Sequence, residues 1–543
     1  MKVQTIQQQN NRHKQGPHFK GFGDVALRFL ATNQGVGANL TDLGFMVIPR
    51  VATDAKRGPA ACIETTRREA SGTFNHSMIG TYGVASGAIA ALLMGLDKKY
   101  GTKANSMFVA PETLEILAEN KANQLKHNKS QLEYLKETFR NIKAFNPSAK
   151  NADKDGFIKL SKETADEVAK IIDSALNDKA MTFKTWEKDA TNNSMQVVVN
   201  KIIGSTGAES KYILENTEKK IVSTTNLKTL LEDVYKVSDS FNKDKVKQAF
   251  EEQIKNGKSI KDNAFIQKFS KFMKTRAAAG VLIGTAVGMS VQPLNIYLTK
   301  KKTGSDGFVG VEGRSKDTST SFKLMKGLAG IGFGGLTLAT LGTGLKGFMS
   351  KMAFNGFWPT ISQLKGIYGL TIISRLMATR DKDELRESLT KDTLGFLSWL
   401  VLGDFVNRMT AEKLDSSIMN RTKENANKGF FKRVFNSSLK TRDEILIETL
   451  TQNGIETIKK DGEKTIAKTF KEMIKDLDKL PEQVRKATKK RLSTLNKAQL
   501  AGYAFSGLVL GLGIPNLNIY ITNKLDKKRK AKLAEQQAQT AKA

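Results

Sequence analysis

Residues 277–299 read AAAGVLIGTAVGMSVQPLNIYLT and residues 499–522 read QLAGYAFSGLVLGLGIPNLNIYIT. Gly284, Gly288, Leu294, Asn295, Ile296, Tyr297, Thr299 and Lys301 return at one constant offset as Gly507, Gly511, Leu517, Asn518, Ile519, Tyr520, Thr522 and Lys524. Neither stretch holds a charge, each exceeds the roughly 20 apolar residues that cross a bilayer core, and each runs into lysines suited to headgroups. The reading that follows is an integral membrane protein with a duplicated, parallel membrane helix. The fold class expected is all-α and multipass. Gly284 and Gly288, and Gly507 and Gly511, have the small-residue spacing that lets helix backbones approach closely.

Working outward, further apolar stretches bring the expected number of spans to about six. The first is 78–96, uncharged up to Leu96, with Gly83 and Gly87 at the same spacing. The span 327–345 is glycine-rich throughout, 361–377 is interrupted by Lys365 with Arg375 near its end, and 393–409 holds Asp404. Between the spans, 97–276 and 410–498 read as two soluble helical domains. Leu132, Leu135, Phe139 and Ile142, then Leu227, Leu230, Val234, Val237 and Phe241, recur at helical periods. Ile466, Phe470, Met473, Leu477 and Leu480 form a coiled-coil-like stripe that needs a partner helix. Residues 1–20 read as a disordered tail, 21–77 as an interfacial segment and 523–543 as a basic disordered tail.

Charge sets orientation and partners. The 543-residue chain has 87 Lys and Arg against 54 Asp and Glu, a net charge of +33, and so calls for an anionic partner. Uncharged spans favour anionic lipid headgroups; nucleic acid is disfavoured because aromatics do not interleave with the Lys runs. Connections 300–326 and 378–392 carry seven and four Lys or Arg, whereas 346–360 carries two. The positive-inside rule then places both termini in the cytoplasm and both helical domains on the opposite face, where they could meet. A protein partner through these domains, and self-association, complete the expected partner classes.

Chemistry is sparse. One cysteine, Cys62, allows no internal disulfide, and four scattered histidines give no zinc spacing. Asn151, Asp153, Asp155, Gly156 and Ile158 resemble half a calcium loop, but Lys162 stands where the closing carboxylate belongs, so an Asp-rich turn between helices is expected. Gly330 to Gly335, G-I-G-F-G-G, follows no strand and is no nucleotide loop. No metal, cofactor or catalytic residue is expected. The candidate intramembrane polar site consists of Asn295, Asn518 and Asp404, with Arg408 four residues on as an ion-pair partner for Asp404. Two functions survive: a membrane scaffold or interaction protein presenting helical domains on one face, or a transporter or pore-like protein built on the repeat. Convergence of Asp404, Asn295 and Asn518 on one cavity would separate them.

Overall fold

The computed structural model describes residues 34–55, 94–188, 194–216, 221–303, 316–354, 360–461 and 464–540, with scattered positions between 27 and 70. The tail 1–20 and most of the expected span 78–96, with Gly83 and Gly87, lie outside the described residues. Helix α1 (Gln34–Asp42), a π segment (Leu43–Val47) and α2 (Ile48–Ala55) form one continuous rod.

Local chemistry sets the helix starts of the next region. Ser130, Ser161, Ser194 and Asn226 each accept the backbone N–H three residues on, satisfying a donor that a helix leaves unpaired. After α3 (Pro111–Lys126) come β1 (Ile142–Phe145), β2 (Phe157–Lys159), α4 (Met195–Thr206), β3 (Tyr212–Asn216), β4 (Ile221–Thr225) and α5 (Leu227–Phe241). The strands form an antiparallel sheet in the order β2-β1-β3-β4. Residues 97–276 are thus not purely helical as expected. Ile142, which extended a helical stripe on paper, sits past the end of its helix at Arg140 and opens β1. Strands of three to five residues are too short to override helical periodicity in a sequence window. The calcium-like turn joins β1 to β2, with the Asp153 carboxylate accepting the amides of Asp155 and Phe157 at 3.0 and 2.8 Å, so it links strands rather than helices.

Among the described residues, four helical rods follow before the chain re-enters the domain. α6 (Ala264–Thr303) leaves the domain, α7 (Thr320–Leu341) returns, and α8 (Ile361–Ala378) leaves again. α9 (Lys382–Leu397), a π segment (Ser398–Leu402) and α10 (Gly403–Leu414) return as one rod. The directions are pinned by contacts. Lys326 near the start of α7 reaches the carbonyl of Met377 at the end of α8, while Lys365 near the start of α8 reaches the carbonyl of Thr340. In between, a Cβ added to Gly369 would lie 2.5 Å from Thr337 Oγ1, so the helices touch backbone to side chain. The run Gly330–Gly335 is helical, with Gly330 and Gly334 against Ile373.

The chain then re-enters the first domain. Leu446, Ile447 and Leu450 of α11 (Arg442–Gln452), with Met473, Leu477 and Leu480, join the core built by residues 96–273. The two expected soluble domains therefore share one core, and the coiled-coil reading is replaced. Ile466 lies on a two-stranded hairpin, and α12 (Phe470–Asp476) is under two turns long. Finally α13 (Glu482–Leu508), a third π segment (Val509–Gly513) and α14 (Ile514–Thr540) leave the domain and cross the bundle, so 523–540 is helical rather than an unstructured tail.

The chain is predominantly helical. Among the described residues, three helices, Ala264–Lys302, Thr320–Leu341 and Glu482–Ala531, are long and apolar enough to cross a membrane, against the six spans expected. The stretch 361–377 became α8, buried on most sides among its neighbours, and 393–409 became the middle of a rod that begins with the charged turn at Lys382.

Candidate functional site

Where the bundle meets the domain, α6 and α13 are each anchored by a buried polar side chain. Arg276, 1% exposed, donates to the carbonyls of Met107 at 2.5 Å and Asn105 at 2.8 Å, and its guanidinium lies over the rings of Phe108 and Phe272. Gln499 on α13 accepts from Arg442 at 2.6 Å, and Arg442 also holds Asn496. Two residues on, Glu444 is fully buried and accepts the amides of Glu209, Ser210 and Thr441, stitching the two halves of the domain. Burial pushes its carboxyl above the usual range, with those amides pulling the other way.

Beside this anchor lies a cleft of ≈ 360 Å³. Its lining mixes apolar side chains (Ala38, Ile361, Trp399, Leu400, Leu439, Leu495) with polar ones (Lys365, Asp404, Asn407, Arg408, Lys440, Tyr503). Trp399 and Leu400 of its lining belong to one of three π segments that come together beside it. The π segments Leu43–Val47, Ser398–Leu402 and Val509–Gly513 meet at one level, the third touching both others. π turns are rare, and they recur at functional sites because the inserted residue displaces a carbonyl from the helix ladder. Here the Ser506 hydroxyl donates to the Ser398 carbonyl at 3.2 Å, and the Trp399 indole N–H donates to Ala38 at 2.7 Å. Backbones are in near contact: a Cβ on Gly502 would lie 2.6 Å from the Gly403 carbonyl oxygen, and one on Gly507 would lie 2.7 Å from the Phe45 ring.

A second polar group lies deeper in the bundle. Asp392, 1% exposed, pairs with Arg375 at 3.2 Å, and Arg50 pairs with Glu69 at 2.7 Å. With Lys391, Gln292 and Tyr368 they line a cavity of ≈ 40 Å³.

The expected site residues do not gather in one place. Asp404 and Arg408 form their pair at 2.9 Å on the cleft wall, and Arg408 also donates to the carbonyls of Val434, Phe435 and Ser437. Asn518 donates to the Glu387 carbonyl at 3.4 Å, at the other end of the rod that carries Asp404. Seventeen residues of helix separate Glu387 from Asp404, about 25 Å at 1.5 Å per residue. Asn295 is buried on α6 and lines neither cavity. Gly507 and Gly511 pack on Phe45, while Gly284 and Gly288 are buried on α6, where Gly288 accepts from Ser374 at 3.2 Å. Sequence reading missed Arg276, Gln499 and Asp392. The first two sit at corresponding positions of the near-repeated segments, a signal that was present but lay just outside the residues that match.

No protein-family model, curated protein or solved structure matches the chain.

Proposed function

We propose that the chain is a multipass membrane scaffold. Its bundle sits in the bilayer and holds the shared-core domain against one face, where that domain engages a protein partner. The observation that carries this reading is the division of exposed apolar surface. Leu282, Met289, Leu324, Leu328, Leu508 and Leu512 project outward from the bundle, and Ile331 is 75% exposed. Across 94–276 and 410–498, the exposed large apolar side chains among the described residues are Met94, Val222, Leu414, Phe431 and Phe435. Such a continuous apolar coat is costly in water and natural in lipid.

Rigid coupling supports the scaffold role. Phe265, Phe269 and Phe272 of α6 belong to the domain core and Ala277 of the same helix to the bundle core, so no linker intervenes. Lys300, Lys301, Lys302, Lys323, Lys326 and Arg529 cluster at the far ends, suited to anionic headgroups and, by the positive-inside rule, to the cytoplasmic side. A transporter is the second reading, favoured by the buried Arg375–Asp392 pair, since ionisable groups at membrane depth mark pathways.

Alkaline carbonate extraction tests residence: the protein stays with the membrane pellet, and release into the supernatant overturns the proposal. In a Cys62-free background, a cysteine at Asn151 is labelled by an impermeant reagent in intact cells and one at Lys382 is protected; the reverse pattern overturns the orientation. Asp392→Asn leaves a scaffold's partner binding intact and abolishes flux in a transporter.

A further inference from the structure

We infer that the cleft between bundle and domain is a binding site for one monoanionic amphiphile, its head on Lys365 and its chain along Trp399 and Leu400. The inference rests on the membrane reading above, which supplies such molecules.

The charge inventory points to a single negative head. Arg408 is consumed by Asp404 at 2.9 Å and by three carbonyls, and Lys440 by Glu448 at 2.8 Å. Lys365 donates to the Thr340 carbonyl at 3.2 Å and forms no ion pair among the described residues. Asp404 and Arg408 cancel, leaving the Lys365 ammonium as the uncompensated charge on the wall. Polar capacity is also unspent there: the Asn407 side-chain oxygen is buried without a hydrogen-bond partner, so a hydroxyl donor on the head would satisfy it.

The apolar part of the lining fits a hydrocarbon chain. Trp399 and Leu400, both lining the cleft, stand on the π segment whose Ser398 carbonyl accepts from the Gly403 amide and from the Ser506 hydroxyl. Leu402 and Leu500, on the same helical rods as the lining residues Gly403 and Gln499, are exposed and apolar. The volume lies in the range of small-molecule sites, about 300–1,000 Å³. An amphiphile entering from the bilayer leaves its head at the level where the spans meet the domain.

The test is native mass spectrometry of the full-length protein in detergent, incubated separately with phosphatidylglycerol, phosphatidylcholine, oleate and inorganic phosphate. One phosphatidylglycerol or one oleate per chain is expected to survive gentle activation, which distinguishes the two anionic sources, while phosphatidylcholine and phosphate do not. Lys365→Ala and the cleft-filling Leu439→Trp reduce retention at least tenfold; Lys365→Arg restores it, and Lys162→Ala on the domain surface changes nothing. Equal retention of phosphatidylcholine, retention of phosphate alone, or undiminished binding in both Lys365→Ala and Leu439→Trp overturns the inference. A variant that fails to fold is recognised by its thermal transition, and the charge-preserving and filling variants then decide. Failure of carbonate extraction would remove the membrane reading; loss of specificity here with extraction intact would remove only this site.

Discussion

The two near-repeated segments share their glycines and the run Leu-Asn-Ile-Tyr, yet they do different things. The first lies in α6, helical throughout although Pro293 removes a backbone donor. The second is broken by the π segment Val509–Gly513, and its Gln499, Gly502, Tyr503 and Ser506 line the cleft. Positions that differ choose the neighbours: Ala279 against Gly502, Ile283 against Ser506, Arg276 against Gln499. Gly502 admits the Gly403 backbone and Ser506 captures the Ser398 carbonyl, and neither residue has a counterpart in the first segment. Shared letters give two helices of one length and polarity; unshared letters give each its partners.

The strongest break comes from exchanging the unshared glycine. Gly502→Ala places a methyl group 2.6 Å from a backbone oxygen, which cannot rotate away as a side chain can. The expected cost is about 3 kcal/mol. Ala279→Gly, the reverse exchange in the first segment, costs about 1 kcal/mol, the propensity difference alone. Thermal unfolding in detergent measures both, and equal effects would show that Gly502 and Gly403 are not in contact.

Next in size are the anchors. Arg276→Ala strands the carbonyls of Met107 and Asn105 and empties a site lined by aromatic rings, at a cost of about 2–3 kcal/mol. Gln499→Ala removes one acceptor from Arg442, which retains Asn496, and costs about 1 kcal/mol. Proteolysis at the domain–bundle junction should follow the same order. Faster cleavage in Gln499→Ala than in Arg276→Ala would reverse the assignment of the stronger anchor.

How much of this was legible depended on the range of the interaction. Helices long and apolar enough to cross a membrane announce themselves by composition, so 277–299, 327–341 and 499–522 were readable. Helix α8 was not, because a central helix surrounded by others can carry Lys365, Gln363 and Arg375 without meeting lipid. The sheet was hidden by strand length, and the shared core by a separation of more than two hundred residues between Ile202 and Leu446. Of the candidate site, the Asp404–Arg408 pair was visible from its helical spacing. Asp392 was not singled out, because its partner Arg375 lies on another helix.

Titration singles out Glu444, which stitches the two halves of the domain. Burial raises the Glu444 carboxyl, so the folded protein binds that proton more tightly than the unfolded chain does. Stability from this group is therefore present at low pH and lost as pH rises through the raised value. The advantage of the parent over Glu444→Gln in thermal midpoint is largest near pH 4 and shrinks by about 2–4 °C toward pH 8. A gap that widens with pH would mean that the three backbone amides outweigh burial.

The smallest effects belong where the two segments agree. Tyr297 and Tyr520 are 60% and 64% exposed at the far ends of their helices, beside Lys300 and Lys524. Neither ring supports the bundle, so Tyr297→Ala and Tyr520→Ala each shift stability in detergent by less than about 0.5 kcal/mol, and by the same amount. In a bilayer their role is positional, because an amphipathic ring at the headgroup level fixes how deep a helix sits. The two variants together should therefore move a spin label at Lys524 deeper or shallower relative to lipid-borne relaxation agents, while the thermal transition stays where it was. A large stability loss from one tyrosine but not the other would show that even the matched positions have acquired separate partners, and the division between shared outward faces and private inward ones would fail.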